Sequence, residues 1–133
     1  MKIALIGNQN SGKTTLFNLL TGTNQKVGNW PGVTIERKTG IIRTTDFEII
    51  DLPGIYSLSP YSLEEEISRR FLFDEKIDLI INIIDSTSIE RSLYLTTQIL
   101  ELQIPMIIAL NMSDLASRKG IEIDFKTLEK RLD

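Results

Sequence analysis

Gly7-Asn8-Gln9-Asn10-Ser11-Gly12-Lys13-Thr14 is the stretch that decides the fold of this chain. It meets the pattern G-x-x-x-x-G-K-[ST] in full, in the context that pattern needs. Before it, Lys2 to Ile6 is a short apolar run that ends in Gly7 and reads as a buried parallel strand. After it, Thr14 to Leu20 carries Leu16, Phe17, Leu19 and Leu20 at helical spacing, and Gly22 suits the helix end. A strand, a glycine-bearing turn and a helix N-terminus in that order make a phosphate cradle. The glycines let backbone N–H groups turn inward around phosphate oxygens, and the helix end adds positive potential. Lys13 is expected to reach the β- and γ-phosphates of a nucleoside triphosphate, and the Thr14 hydroxyl to ligate Mg²⁺. Gly7, Asn8, Gln9, Asn10, Ser11, Gly12 and Thr15 are expected to complete the nucleotide contacts.

Working outward, Thr23 to Val33 holds Gly28, Asn29, Pro31 and Gly32 without a clear period and is expected to be a mobile loop. Ile35 to Arg43 and Phe47 to Ile50 read as two strands of a hairpin joined near Thr44-Thr45-Asp46. Asp51-Leu52-Pro53-Gly54 stops the second strand, and Ser57 to Ser62 is a polar loop. Leu63 to Phe73 and Ile89 to Leu102 read as helices. Ile77 to Ile84 and Pro105 to Leu110 read as buried strands, and Asp124 as the cap of a last helix with Phe125, Leu128 and Leu132 on its face. Strands alternating with helices predict an α/β, three-layer P-loop NTPase fold. Its sheet is mostly parallel with one antiparallel hairpin strand, and helices cover both faces.

Composition narrows the chemistry. The 133 residues are 41% hydrophobic and 25% charged, which suits one globular domain. Cysteine and histidine are both lacking, which excludes a disulfide framework, a thiolate nucleophile, an imidazole base and a Cys/His zinc site. Any metal must be a hard cation held by oxygen. The net charge of −3 does not favour a nucleic-acid partner. No apolar stretch is long enough to span a bilayer.

Two further motifs follow in the order a nucleotide site requires. Asp51-x-x-Gly54 falls at the C-terminal end of a strand, where doubly wound sheets bind ligands. Asp51 is expected to hold Mg²⁺ through water, and the Gly54 N–H to meet the γ-phosphate; the same residues would also suit a plain turn. Asn111-Met112-Ser113-Asp114 has the N-x-x-D spacing of guanine recognition. A carboxylate at Asp114 can accept from the ring N–H and exocyclic amine of guanine, a donor pair adenine lacks. Met112 stands where lysine is usual, and its apolar chain can cover the base. A helix-capping role for Asn111 and Asp114 is the alternative. Thr34, between the phosphate loop and Asp51, is the expected second Mg²⁺ ligand, engaged only when a γ-phosphate is bound.

Together these motifs resemble the translation-factor-like class of GTPases. Three strings, Gly7 to Asn18, Val27-Gly28-Asn29-Trp30-Pro31-Gly32-Val33-Thr34 and Asp51 to Leu58, narrow the resemblance to the cytoplasmic G domain of the bacterial ferrous-iron transporter B family. It runs from about Lys2 to Asp133, and Glu90 to Thr96 also fits. The resemblance implies a Ras-like G domain over 1–133, with switch I near 23–35 and switch II near 54–62. It implies that Gly32, Val33 and Thr34 meet the nucleotide, and that Asn10, Lys13, Thr34 and Gly54 serve the hydrolysis of GTP to GDP and phosphate. It also implies K⁺ beside the phosphates, on the Asn10 amide oxygen and carbonyls near Gly28 and Trp30, where the ion would offset developing charge. A membrane permease portion of the same polypeptide, self-association, and a place on the cytoplasmic face of the inner membrane come with it. The fifth guanine motif, with its strand and helix, would lie beyond Asp133, leaving Pro105 to Leu110 as an exposed edge. Ile55 occupies the place of a water-orienting glutamine, so slow intrinsic turnover is expected. That substitution keeps open a switch that binds guanine nucleotides without hydrolysing them. An RNA-associated GTPase of the same class is a further alternative, disfavoured by the acidic balance.

Overall fold

The computed structural model describes residues 1–9, 11–59 and 61–111. The chain forms β1 (Lys2–Gly7), α1 (Lys13–Thr21), β2 (Gln25–Asn29), β3 (Glu36–Ile41), β4 (Glu48–Asp51), α2 (Leu63–Asp74), β5 (Leu79–Asp85), α3 (Ile89–Leu100) and β6 (Met106–Asn111). A short 3₁₀ turn, Ser86–Ser88, leads into α3. The six strands share one sheet in the order β2-β3-β4-β1-β5-β6. β1 pairs in parallel with β4 and β5, and β5 with β6; β3 pairs antiparallel with both β2 and β4. β3 is thus the strand that runs against the others, as expected from the hairpin.

Period-2 alternation sorts the core into two layers. Ile3, Leu5 and Ile49 point to one face, where they meet Phe17 of α1, with Leu16 and Leu20 at the margin. Ala4, Ile6, Ile50 and Ile80 point to the other, where they meet Phe71 and Leu72 of α2 and Leu95 and Ile99 of α3. Helices therefore cover both faces. Phe17, Leu5, Ile6, Ile50, Ile80 and Ile99 are fully buried, and each such side chain contributes about 1.5–3 kcal/mol of burial.

One expectation needs correction. Residues 25–29, read as part of a mobile loop, form β2, in register with β3 from Gln25↔Gly40 to Asn29↔Glu36. Four of its five residues are exposed. An edge strand solvated on both faces carries no apolar alternation, so backbone pairing alone fixes it and the sequence pattern is silent. The helix over 63–74 starts with a device the spacing could have shown. Ser62 Oγ accepts from the Glu65 N–H at 3.2 Å and donates to the Glu65 carboxylate at 3.0 Å, and Glu64, Glu65 and Glu66 fill the positive first turn. The expected last helix from Asp124 lies outside the described residues.

Candidate functional site

The central strands end at one edge of the sheet, and the loops that leave them meet there. Asn8, Gln9, Gly12, Lys13, Thr14, Thr15 and Gly54 line a cavity of about 580 Å³ at the N-terminus of α1. Gly12, at φ 93°, is the residue preceding α1. A side chain there would be strained, and its Cβ would lie 1.8 Å from Asn111 Nδ2. That amide donates to the Ser11 carbonyl at 3.0 Å. Asn111, at the end of β6, therefore clasps the turn across 100 residues of sequence. At the other end of the turn, Ser11 N–H donates to the Asn8 carbonyl at 3.3 Å, and Asn8 Nδ2 donates to Ser92 Oγ of α3 at 3.2 Å.

The segment after β4 is laid directly on this turn. The Leu52 N–H donates to the Leu5 carbonyl and the Ile55 N–H to the Gly7 carbonyl, both at 3.1 Å. A Cβ on Gly54 would sit 2.7 Å from Gln9 Cγ and 3.2 Å from its backbone N, so only glycine permits the approach. Lys13 Nζ forms an ion pair with Asp51 Oδ1, and both side chains are about nine-tenths buried. Ile55 is 1% exposed and faces the core, not the cavity. Farther along, the Leu58 N–H donates to Gln98 Oε1 at 2.7 Å, and the Arg91 guanidinium lies 4.1 Å from the centre of the Tyr56 ring. Helix α3 thus holds the segment at two points about two turns apart, Arg91 and Gln98.

Of the residues expected from sequence, the structure brings Gly7, Asn8, Gln9, Ser11, Gly12, Lys13, Thr14, Thr15, Asp51, Gly54 and Asn111 to one end of the sheet. Gly28, Trp30, Gly32, Val33 and Thr34 lie apart from them, on the β2–β3 hairpin, and do not line the cavity. Gly28 is within β2, opposite Arg37. Trp30 is buried, edge-on to Phe71 at 5.6 Å between centroids, with the Arg37 guanidinium 4.8 Å from its ring. Its N–H donates to the Ile35 carbonyl and its carbonyl accepts from the Val33 N–H, closing a Pro31-Gly32 turn with Gly32 at φ 76°. Thr34 is exposed at the hairpin tip. Asn10, Met112 and Asp114 lie outside the described residues.

The donors suit magnesium by type. Thr14 offers a hydroxyl and Asp51 a carboxylate, both hard oxygens, and the described residues hold no cluster of three or more acidic, His or Cys side chains. Mg²⁺ usually takes one or two carboxylates or hydroxyls and completes its shell with phosphate and water. Of the oxygens expected for K⁺, the carbonyls near Gly28 and Trp30 stand on the β2–β3 hairpin, and that of Asn10 lies outside the described residues. Among the described residues, no helix is long and apolar enough to cross a membrane.

Sequence reading missed Asn111's clasp on Ser11, Gln9's place under Gly54, and the Asn8–Ser92 bond. The first two pair residues already marked by the motifs, and the third joins residues 84 apart and leaves no local pattern.

The family model described as ferrous iron transport protein B matches residues 1–133. The Fe(2+) transporter FeoB of Escherichia coli is 53% identical over 138 residues, which is 99% of this chain and 18% of that protein. The Fe(2+) transporter FeoB of Salmonella typhimurium matches to the same extent. This chain spans less than a fifth of the length of those relatives. A GDP-bound variant of S. thermophilus NFeoB superimposes with a TM-score of 0.92 at 56% identity, covering 98% of this chain and 52% of that one. The G domain of T. maritima FeoB gives a TM-score of 0.88 at 46% identity, covering 99% and 82%.

Proposed function

The chain belongs to the ferrous iron transport protein B family, and we propose that it is the GTP-binding and GTP-hydrolysing regulatory domain of a ferrous-iron membrane transporter. The observation that carries this reading is the cavity at the α1 N-terminus, which Lys13, Thr14 and Gly54 line together. Backbone amides of the Gly7–Thr14 turn and the α1 dipole would bind the triphosphate. Lys13 would exchange Asp51 for the β- and γ-phosphates. Asp51, Thr14 and, from the hairpin, Thr34 would hold Mg²⁺, which when bound neutralises charge on the phosphates. The Gly54 N–H would anchor the γ-phosphate and so couple nucleotide state to the 54–62 segment. Asp114, with Asn111 and Met112, would select guanine.

Because Ile55 is buried, no side chain at that position orients the attacking water, and slow intrinsic turnover follows. Potassium stimulation through the Asn10 amide oxygen is part of the proposal. So is a membrane permease portion of the same polypeptide, which would set the domain on the cytoplasmic face of the inner membrane. The curated relatives are named as Fe(2+) transporters and are far longer than this chain, which supports that setting.

Phosphate release from GTP in Mg²⁺, compared in K⁺ and Na⁺ for wild type and Asn10→Ala, tests the reading. Slow release in wild type that is faster in K⁺, and loss of that difference in Asn10→Ala, is the expected result. Equal rates in all four conditions remove the potassium step. Tight GTP binding with no release in any of them favours the non-hydrolysing switch.

A further inference from the structure

Helix α3 carries two hydroxyls one turn apart, and both are bound in the same manner. Ser92 Oγ donates to the Ser88 carbonyl at 3.0 Å, and Thr96 Oγ1 donates to the Ser92 carbonyl at 3.3 Å. A hydroxyl has a single proton, so each of these oxygens can only accept from its other neighbour. Asn8 Nδ2 supplies the donor to Ser92 at 3.2 Å, and Asn82 Nδ2 to Thr96 at 2.6 Å. In this network both asparagine amides face α3 through their nitrogens. All four residues are buried.

The two bonds differ in what they hold. Asn82 sits inside β5, so its bond fastens α3 to the sheet. Asn8 is the first residue of the phosphate turn beyond β1, and it lines the cavity. Its bond runs from α3 to the turn whose amides would meet phosphate. That turn is therefore clamped by side chains near both ends, with Ser92 on Asn8 and Asn111 on Ser11. An anion cradle binds well only when its amides are held in place beforehand, since ordering them on binding costs affinity.

We propose that Ser92 is a positioning residue for nucleotide binding, acting through Asn8 to fix the entry of the phosphate turn. The inference rests on the nucleotide-binding reading above. Asn8 occupies a variable position of the motif and Ser92 lies 84 residues later, so the motif itself does not supply this contact.

The test compares Ser92→Ala with Thr96→Val, which removes the matching acceptor at a point away from the turn. Affinities for GDP and a non-hydrolysable GTP analogue are measured by calorimetric titration in Mg²⁺, beside thermal unfolding. Both variants should unfold at lower temperature than wild type. Only Ser92→Ala should weaken the two nucleotides, by about tenfold, because it strands a buried amide in the turn. Ser92→Cys leaves no cavity and offers a poorer acceptor; it should weaken binding in the same direction, and it carries the test if Ser92→Ala does not fold. Wild-type affinity in the Ser92 variants, or an equal loss in Thr96→Val, overturns the inference and leaves Ser92 as ordinary core. A wild-type chain that binds neither nucleotide overturns the nucleotide reading itself, and this inference with it.

Discussion

Lys13 and Asp51, 38 residues apart, form a nearly buried ion pair that joins the phosphate turn to the end of β4. The two charges are thus partnered with each other, and nucleotide binding must replace that contact with phosphate on one side and Mg²⁺ on the other. Removing one member of a buried pair strands the other charge. Asp51→Ala should cost about 3 kcal/mol of stability, and replacing both residues (Lys13→Met with Asp51→Leu) should recover most of it. Urea unfolding checks this; a single-variant loss below about 1 kcal/mol would place the pair with ordinary surface ion pairs.

Gly12 is held by two constraints, a left-handed backbone and the nearby Asn111 amide. In Gly12→Ala the Asn111 side chain can swing aside, but only by giving up its bond to Ser11. The expected result is about 1–2 kcal/mol of lost stability from the backbone alone and loss of measurable nucleotide binding. A folded Gly12→Ala protein that binds GDP as tightly as wild type would show that the clasp does not matter.

Gly54 lies against the backbone of Gln9. In Gly54→Ala a Cβ must push the two loops apart by a fraction of an ångström or more. Displacement of that order at a reacting centre slows chemistry by about a hundredfold. GTP hydrolysis should therefore fall by about that factor while GDP affinity changes little. An equal loss of GDP and GTP binding would instead make Gly54 a plain structural glycine.

Trp30 is the single tryptophan of the chain and is packed at the base of the hairpin tip that carries Thr34. If Thr34 joins the Mg²⁺ site when triphosphate binds, the 30–35 turn must move and the ring must leave or reshape its contact with Phe71. Trp30 emission should then differ between the GDP and GTP-analogue complexes, and Thr34→Ala should erase the difference. Identical spectra in the two complexes would mean that the hairpin stays in place.

What the sequence revealed was set by which interactions leave a pattern. The phosphate turn was legible because glycine, lysine and threonine each answer a separate physical need at fixed spacing. The central strands were legible because burial on both faces makes them nearly continuous apolar runs such as Ile77 to Ile84. β2 was not, because Gln25 to Asn29 is held by backbone pairing and its side chains are mostly solvated. Nor were the clamps: Asn111 and Ser92 reach the turn only once β6 and α3 have been laid beside β1, and tertiary contacts of that kind have no local signature. Asn82, one polar residue inside an apolar strand, was the visible hint that α3 docks through hydrogen bonds.

The central claim is that the Gly7–Thr14 turn grips the phosphates of a guanine nucleotide through its amides and Lys13. Calorimetric titration of wild type and Lys13→Ala with GDP, a GTP analogue and ADP in Mg²⁺ tests it most directly. The account predicts tight binding of both guanine nucleotides to wild type, none of ADP, and loss of both guanine nucleotides in a Lys13→Ala protein that still folds. Guanine nucleotide binding that survives Lys13→Ala at wild-type strength would contradict it.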